Sequence, residues 1–170
     1  YDVLTFSAVS GGSITGNVIK GATSRGNIAI NLYRSSDIAV SGNSIYNCGG
    51  YGIYTKGTAS STISGNVIAD CGQKTDNTYT AIKIGNDGAQ YSKFNLVSGN
   101  IITNNVSNNL KYGIEEESVT DDHNIVVNNR VTGSDTADIL ILAPHSQAYN
   151  NTTEKFYNQR EALAYKNTGG

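Results

Sequence analysis

Five residues of this chain carry groups that could act together on a sugar: Tyr54, Lys56, Lys83, Glu115 and Glu117. A tyrosine offers an apolar plate with a polar tip. Lysine and glutamate bond hydroxyl groups. A pair of carboxylates is the equipment of glycoside hydrolysis, where their separation sets the stereochemical outcome. Glu115 and Glu117 are therefore the candidate acid/base pair. Tyr54, Lys56 and Lys83, bordered by Tyr79 and Tyr91 on flanking loops, are the candidate substrate contacts. The competing reading is a Lys–Glu ladder that serves only to solvate an exposed sheet. Asp121, Asp122 and His123 lie just downstream and offer a further acid or ligand.

Residues so far apart in the chain need an architecture that stacks them, and the sequence carries one. The phrase Thr15-Gly16-Asn17 returns as Ser41-Gly42-Asn43, Ser64-Gly65-Asn66 and Ser98-Gly99-Asn100. A worn copy follows at Val127-Asn128-Asn129, and a further one at Asn150-Asn151. An apolar residue stands two positions after most of these Asn residues: Ile19, Ile45, Ile68, Ile102 and Val131. The Asn positions 17, 43, 66, 100, 129 and 151 are separated by 26, 23, 34, 29 and 22 residues. Periods of this size mark a stacked repeat.

A second phrase lies between copies of the first: Asn27-Ile28-Ala29-Ile30, Tyr51-Gly52-Ile53-Tyr54, Ala81-Ile82-Lys83-Ile84, Tyr112-Gly113-Ile114-Glu115 and Asp138-Ile139-Leu140-Ile141. Short β-branched runs separated by Gly, Asn and Ser are strand punctuation. A strand of four or five residues cannot bury its face alone. Stacked in register on its copies about 4.8 Å apart, it can. The Asn at each corner tolerates the left-handed backbone region and can bond to its neighbours, and the preceding Gly removes a Cβ clash. Like Asn residues on successive coils can form a ladder.

This pattern resembles the right-handed parallel β-helix superfamily, which includes pectate lyases, mannuronan epimerases and phage tailspikes. The resemblance covers roughly residues 5–153 and implies an all-β, single-stranded parallel β-helix of about five to six coils. Residues 1–153 are read as this β-helix, and 154–170 as a short C-terminal cap or a connector to a further module. Within the cap, 159–165 reads as a short amphipathic helix or as an extended strand covering the last coil. The chain begins inside a strand and has no Met, so the sequence reads as the C-terminal part of a longer protein.

The resemblance fixes no activity, because one fold hosts many sites. The epimerase segment Asp-Pro-His is matched only by Ala143-Pro144-His145, without the acid. Arg25, Arg34 and Arg130 are scattered, with no acidic ladder of the pectate-lyase kind.

Two consequences of the stacking are specific. Cys48 and Cys71 each fall five residues after their Asn, so they should lie above one another, either as a disulfide or, the favoured reading, as two thiols in a core ladder. If Ile28, Ile53, Ile82, Ile114 and Ile139 point inward, then Ala29, Tyr54, Lys83, Glu115 and Leu140 point outward. Asn31, Lys56, Gly85, Glu117 and Leu142 follow on the same face. Glu116 would then point inward, where a carboxylate is expensive. Either the strand ends at Glu115, which is the favoured reading, or Glu116 has a buried partner. The third and fourth coils carry extra loops, at about 72–79, 86–93 and 104–111, and loops on a rigid scaffold are where binding tends to sit.

Charged residues make up only 15% of the chain and the net charge is −2, which argues against a nucleic-acid groove. No apolar run approaches the length of a membrane span. No cofactor and no metal site are expected. The sequence predicts an extracellular or virion-borne module that binds or processes a polysaccharide. Any catalysis would be that of a hydrolase, lyase or epimerase whose main site can lie in absent N-terminal coils. The rival is a non-catalytic stem or adhesion segment, trimeric through an exposed apolar stripe at Leu140 and Leu142.

Overall fold

The computed structural model describes residues 2–21, 28–105 and 110–158. The chain climbs in rungs of three strands. The first rung holds β1 (Leu4–Ser7), β2 (Ser10–Thr15) and β3 (Val18–Lys20). The second holds β4 (Ile28–Tyr33), β5 (Ser36–Ser41) and β6 (Ser44–Tyr46). The third holds β7 (Tyr51–Lys56), β8 (Thr62–Ser64) and β9 (Val67–Ala69). The fourth holds β10 (Thr80–Gly85), β11 (Leu96–Ser98) and β12 (Ile101–Thr103). The fifth holds β13 (Tyr112–Glu116), β14 (Ile125–Val127) and β15 (Arg130–Thr132). The sixth holds β16 (Ala137–Ile141), β17 (Gln147–Tyr149) and β18 (Thr152–Thr153), and β19 (Phe156–Asn158) lies beyond it.

Corresponding strands of successive rungs pair in parallel, giving three sheets. The first sheet runs β1-β4-β7-β10-β13-β16-β19. The second contains β2, β5, β8, β11, β14 and β17, and the third contains β3, β6, β9, β12, β15 and β18. β19 thus extends the first sheet past residue 153 by pairing with β16. Residues 159–165, where a helix or strand was expected, lie outside the described residues.

The inward residues form one column. Ile30, Ile53, Ile82, Ile114 and Ile139 stand in register in the first sheet, and each is fully buried. Val40, Ile63, Val97 and Val126 do the same in the second sheet, and Ile45, Ile68, Ile102 and Val131 in the third. Burying one such side chain contributes about 1.5–3 kcal/mol, so the column is the main source of stability.

The register corrects the facing of the second rung. Ile28 pairs with Tyr51, and it is Ile30 that pairs with Ile53. The outward partner of Tyr54 is Asn31, while Ala29 is fully buried. Strict alternation fails here because two successive positions turn inward. Ala29, Gly52, Ala81, Gly113 and Asp138 occupy the first of them and are all buried. A Cβ on Gly52 would lie 2.6 Å from the Ala81 carbonyl oxygen and 3.0 Å from Ile68, so no side chain fits at this position. Leu140 is also buried, at 8% exposure, and Leu142 is half-buried. The exposed apolar stripe expected there does not exist, and a trimer contact loses that support.

The corner Asn residues are core groups. The left-handed residue at the corner is the preceding one, Gly16, Gly42, Gly65 or Gly99, at φ of 66°, 62°, 61° and 62°, with Asn128 taking the place at 56°. The Asn that follows points inward. Asn66 Nδ2 donates to Asn100 Oδ1 at 2.9 Å and to the Val40 carbonyl at 3.0 Å, and the Asn66 amide donates to the same Asn100 oxygen. The pattern repeats from Asn17 through Asn43, Asn66, Asn100 and Asn129 to Asn151. A second ladder runs through Ser61, Asn95, Asn124 and Ser146 at the corner between the first and second sheets. Cys48 and Cys71 are both buried and unbridged, in agreement with the thiol reading.

No helix among the described residues is long and apolar enough to cross a membrane.

Candidate functional site

The outer face of the first sheet gathers the candidates from three consecutive rungs. Tyr54, Lys83 and Glu115 are register partners on β7, β10 and β13. Two residues further along, Lys56 pairs with Gly85. Glu117 follows directly after β13, its amide bonded to the Ile84 carbonyl.

Lys83 sits at the centre. Its Nζ lies 2.9 Å from Glu117 Oε1 and 3.9 Å from Glu115 Oε2. The same ammonium lies 5.3 Å from the centre of the Tyr51 ring and 5.5 Å from that of Tyr54, within the reach of a cation–π contact. Burial works against the charge, but the two carboxylates outweigh it and raise the Lys83 pKa. Lys83 is therefore a fixed ammonium, not a base. Lys56 stands at the edge, with its Nζ 5.9 Å from the Tyr54 ring centre.

Each carboxylate is oriented by further donors. The Tyr54 hydroxyl donates to Glu117 Oε2 at 3.1 Å, and the Asn86 amide donates to the same oxygen at 3.3 Å. The Thr80 hydroxyl donates to Glu115 Oε2 at 2.7 Å. Burial, followed by the Glu117 charge, pushes the Tyr54 phenol far up, so it remains a donor. Asn86 connects this group to Asp121, donating from Nδ2 to Oδ2 at 3.2 Å. Asp121 is fully buried and also accepts the Ser92 amide at 2.8 Å, and burial raises its pKa.

The aromatic plates differ from expectation. Tyr54 is 8% exposed and so serves as a buried donor to Glu117. The half-buried rings are Tyr51 and Tyr79, which meet edge to face with centres 5.1 Å apart, while Tyr51 and Tyr54 are tilted at 5.2 Å. Tyr79 thus borders the face as expected. Tyr91 does not join the group: it is exposed, pairs with Lys93 and shares a separate recess with Arg34 and Gln90. Tyr51, Thr80 and Asn86 were missed by sequence reasoning. Tyr51 and Tyr112 occupy the same place in the second phrase, which was the available signal.

Glu116 overturns the favoured sequence reading. β13 continues through it, and it pairs with Ile84 and is fully buried. Its Oε2 accepts the amides of Leu142 at 3.0 Å and Ala143 at 2.6 Å. Its Oε1 accepts the Ser146 hydroxyl at 2.5 Å and Asn124 Nδ2 at 3.1 Å. Leu142, Ala143 and Ser146 lie on the next rung, which is why local reading favoured a strand end.

Asp122 and His123 lie away from this face, at the corner between the first and second sheets. Asp122 Oδ2 is 2.6 Å from His145 Nδ1 and 3.5 Å from His123 Nδ1. Burial works against the Asp122 charge, but the hydrogen bonds from His145 and His123 outweigh it and hold the pKa at about 2. Asp122 is therefore ionised.

The model of a right-handed β-helix region matches residues 3–154. The chain belongs to this family. Among solved structures, this β-helix is similar to the A-module of the mannuronan C-5 epimerase AlgE4 of Azotobacter vinelandii, with a TM-score of 0.67 and 22% identity. That match covers 83% of this chain and 38% of the epimerase chain. The likeness supports the right-handed solenoid fold. No curated protein matches the chain.

Proposed function

We propose that the outer face of the first sheet, across the third to fifth rungs, binds a polysaccharide and that Glu117 and Glu115 act on it as an acid/base pair. One observation carries this reading: a single half-buried ammonium, Lys83, holds two carboxylates beside two tyrosine rings. A plain solvating ladder would leave its charges in water. Here the side chains of Lys83 and Glu115 are only 12% and 15% exposed, while Glu117 is 34% exposed. Glu117 is the group nearest to solvent and therefore the one placed to meet a substrate.

In this reading Tyr51 and Tyr79 present the apolar edge against which a sugar ring packs. Glu117 accepts from its hydroxyls, and Lys83 donates to its hydroxyls or to a ring carboxylate. Thr80 and Tyr54 act as positioning residues, fixing Glu115 and Glu117 through their hydroxyls. A long shallow face spanning successive rungs suits a chain better than a single sugar. The epimerase-module neighbour acts on a polysaccharide, as its name states, and that lends support. In this reading the protein works outside the cell or on a virion surface.

A glycan array with the intact chain tests binding, followed by incubation of any bound polymer and measurement of new reducing ends, unsaturated ends or altered sugar configuration. Glu117→Gln should abolish product formation while leaving binding within a few-fold. Full turnover by both Glu117→Gln and Glu115→Gln would remove the catalytic part. An array without a hit that Lys83→Met diminishes would remove the binding part.

A further inference from the structure

We propose that Asp122, His123 and His145 form a binding site for a first-row transition dication at the corner between the first and second sheets. This site is separate from the polysaccharide face and does not rest on that reading.

The three residues come from two successive rungs. Asp122 and His123 lie between β13 and β14, and His145 lies between β16 and β17. The rungs stack the two imidazoles, with ring centres 4.9 Å apart and planes inclined by 19°. Phe94, one rung earlier, continues the stack at 5.0 Å from His123 and closes one end with an apolar ring. Both imidazoles address the same oxygen through Nδ1, at 2.6 and 3.5 Å from Asp122 Oδ2.

The carboxylate is already oriented. Asp122 Oδ1 accepts the His123 amide at 2.8 Å and the His145 amide at 2.9 Å. Those two bonds turn Oδ2 toward the imidazoles and hold it there, as outer partners do for metal-binding carboxylates. One ligand atom from each residue lies within 4.8 Å of the others. Bond lengths of about 2.1 Å to zinc require ligand atoms roughly 3.4 Å apart. The imidazole side chains are 47% and 62% exposed, so a small rotation of each ring closes the difference. Two nitrogens and one oxygen suit Zn²⁺, Cu²⁺ or Ni²⁺, and a hard ion such as Mg²⁺ prefers oxygen alone. Three protein ligands on an exposed corner leave a fourth position open, which is the arrangement of a reactive rather than a closed structural site.

Isothermal titration of the untagged chain with ZnCl₂ and, separately, MgCl₂ tests the proposal. Zn²⁺ should bind with one equivalent per chain and raise the melting temperature, and Mg²⁺ should do neither. His145→Ala and His123→Ala should each weaken Zn²⁺ binding by at least about 30-fold, a loss typical of removing a ligand or its support, while each apo variant still unfolds in a single cooperative transition. Both side chains are exposed, so these variants should fold. Zn²⁺ uptake that persists in the His123→Ala/His145→Ala double variant overturns the proposal. So does uptake that disappears in Cys48→Ala/Cys71→Ala, which would place the ion on the thiols, and so does the absence of Zn²⁺ uptake by the wild type.

Discussion

The Ser146 hydroxyl donates to Glu116 at 2.5 Å inside the solenoid, one rung away and fully out of water. Burial raises the Glu116 pKa above its ordinary 4.5, although Ser146, Asn124 and two backbone amides oppose the rise. The folded chain therefore holds this proton more tightly than the unfolded chain. The contribution to stability is full below pH 4.5 and is lost as pH rises through the folded pKa. Within that window the loss reaches at most about 1.4 kcal/mol per pH unit. Urea unfolding at a series of pH values should show this slope in the wild type, relative to Glu116→Gln, which cannot titrate. Parallel stability–pH curves for the two proteins would refute the assignment.

Lys83→Met should separate structure from binding. It removes the cation between Glu115 and Glu117, and breaking this partly buried cluster should cost between the roughly 1 kcal/mol of an exposed pair and the roughly 3–5 kcal/mol of a buried one. Adding Glu115→Gln to Lys83→Met should recover much of that loss by removing the repulsion, because the two residues are direct partners. Polysaccharide binding should not recover, since Lys83 is still missing. Denaturant midpoints together with a glycan pull-down on the wild type and these two variants read both effects.

The Asn ladder should be strongest at its centre. Asn100→Ala removes the acceptor of the Asn66 amide and side chain and the donor to the Ile63 carbonyl. Each buried group left without a partner costs about 1–3 kcal/mol, so this substitution should cost about 4 kcal/mol in total and sharply lower the melting temperature. Asn17 is only half-buried at the first rung, with one ladder neighbour instead of two, and Asn17→Ala should cost less, about 1 kcal/mol. Equal losses at the two sites would show that the ladder does not carry this load.

The rungs were legible because stacking demands that like residues recur, and the Gly-Asn phrase recurs without gaps from Asn17 to Asn100. The facing of Tyr54, Lys83, Glu115 and Glu117 followed from the period-two rule. The rule failed at Ala29, where two successive residues turn inward, and that error slid Ile28 one pair out of register. Glu116 was misjudged for a different reason. Its partners, Leu142, Ala143 and Ser146, belong to a turn between two other strands, and nothing in the residues around it announces them. Tyr54 was assigned as an exposed plate because its type suggests one, but its burial depends on neighbours from other parts of the rungs, the Tyr51 ring and the Lys83 and Glu117 side chains that pack around it. The pairing of His145 with Asp122 stayed out of view because it spans one full rung.

Cys48 and Cys71 supply a last measurement. Their sulfurs sit on adjacent rungs, each pointing toward a carbonyl of its own turn, Tyr46 and Ala69, at 3.9 Å. Contact with the Cys48 sulfur, reinforced by burial, holds the Cys71 thiol well above its ordinary pKa, so its thiolate is scarce at neutral pH. Thiolate is the reactive form. Both thiols are sealed from solvent, Cys48 at 1% and Cys71 at 0% exposure, so native protein should resist an aromatic disulfide reagent at pH 7.5, and denatured protein should release two equivalents of thiol. A mass unchanged by reductant completes the test. Oxidation to a stable bridge without loss of the native fold would contradict the packed-thiol assignment. Cys71→Ser should destabilise the chain more than Cys71→Ala, because a hydroxyl in this apolar column costs about 1–3 kcal/mol where it finds no acceptor, whereas Ala loses only part of the packing.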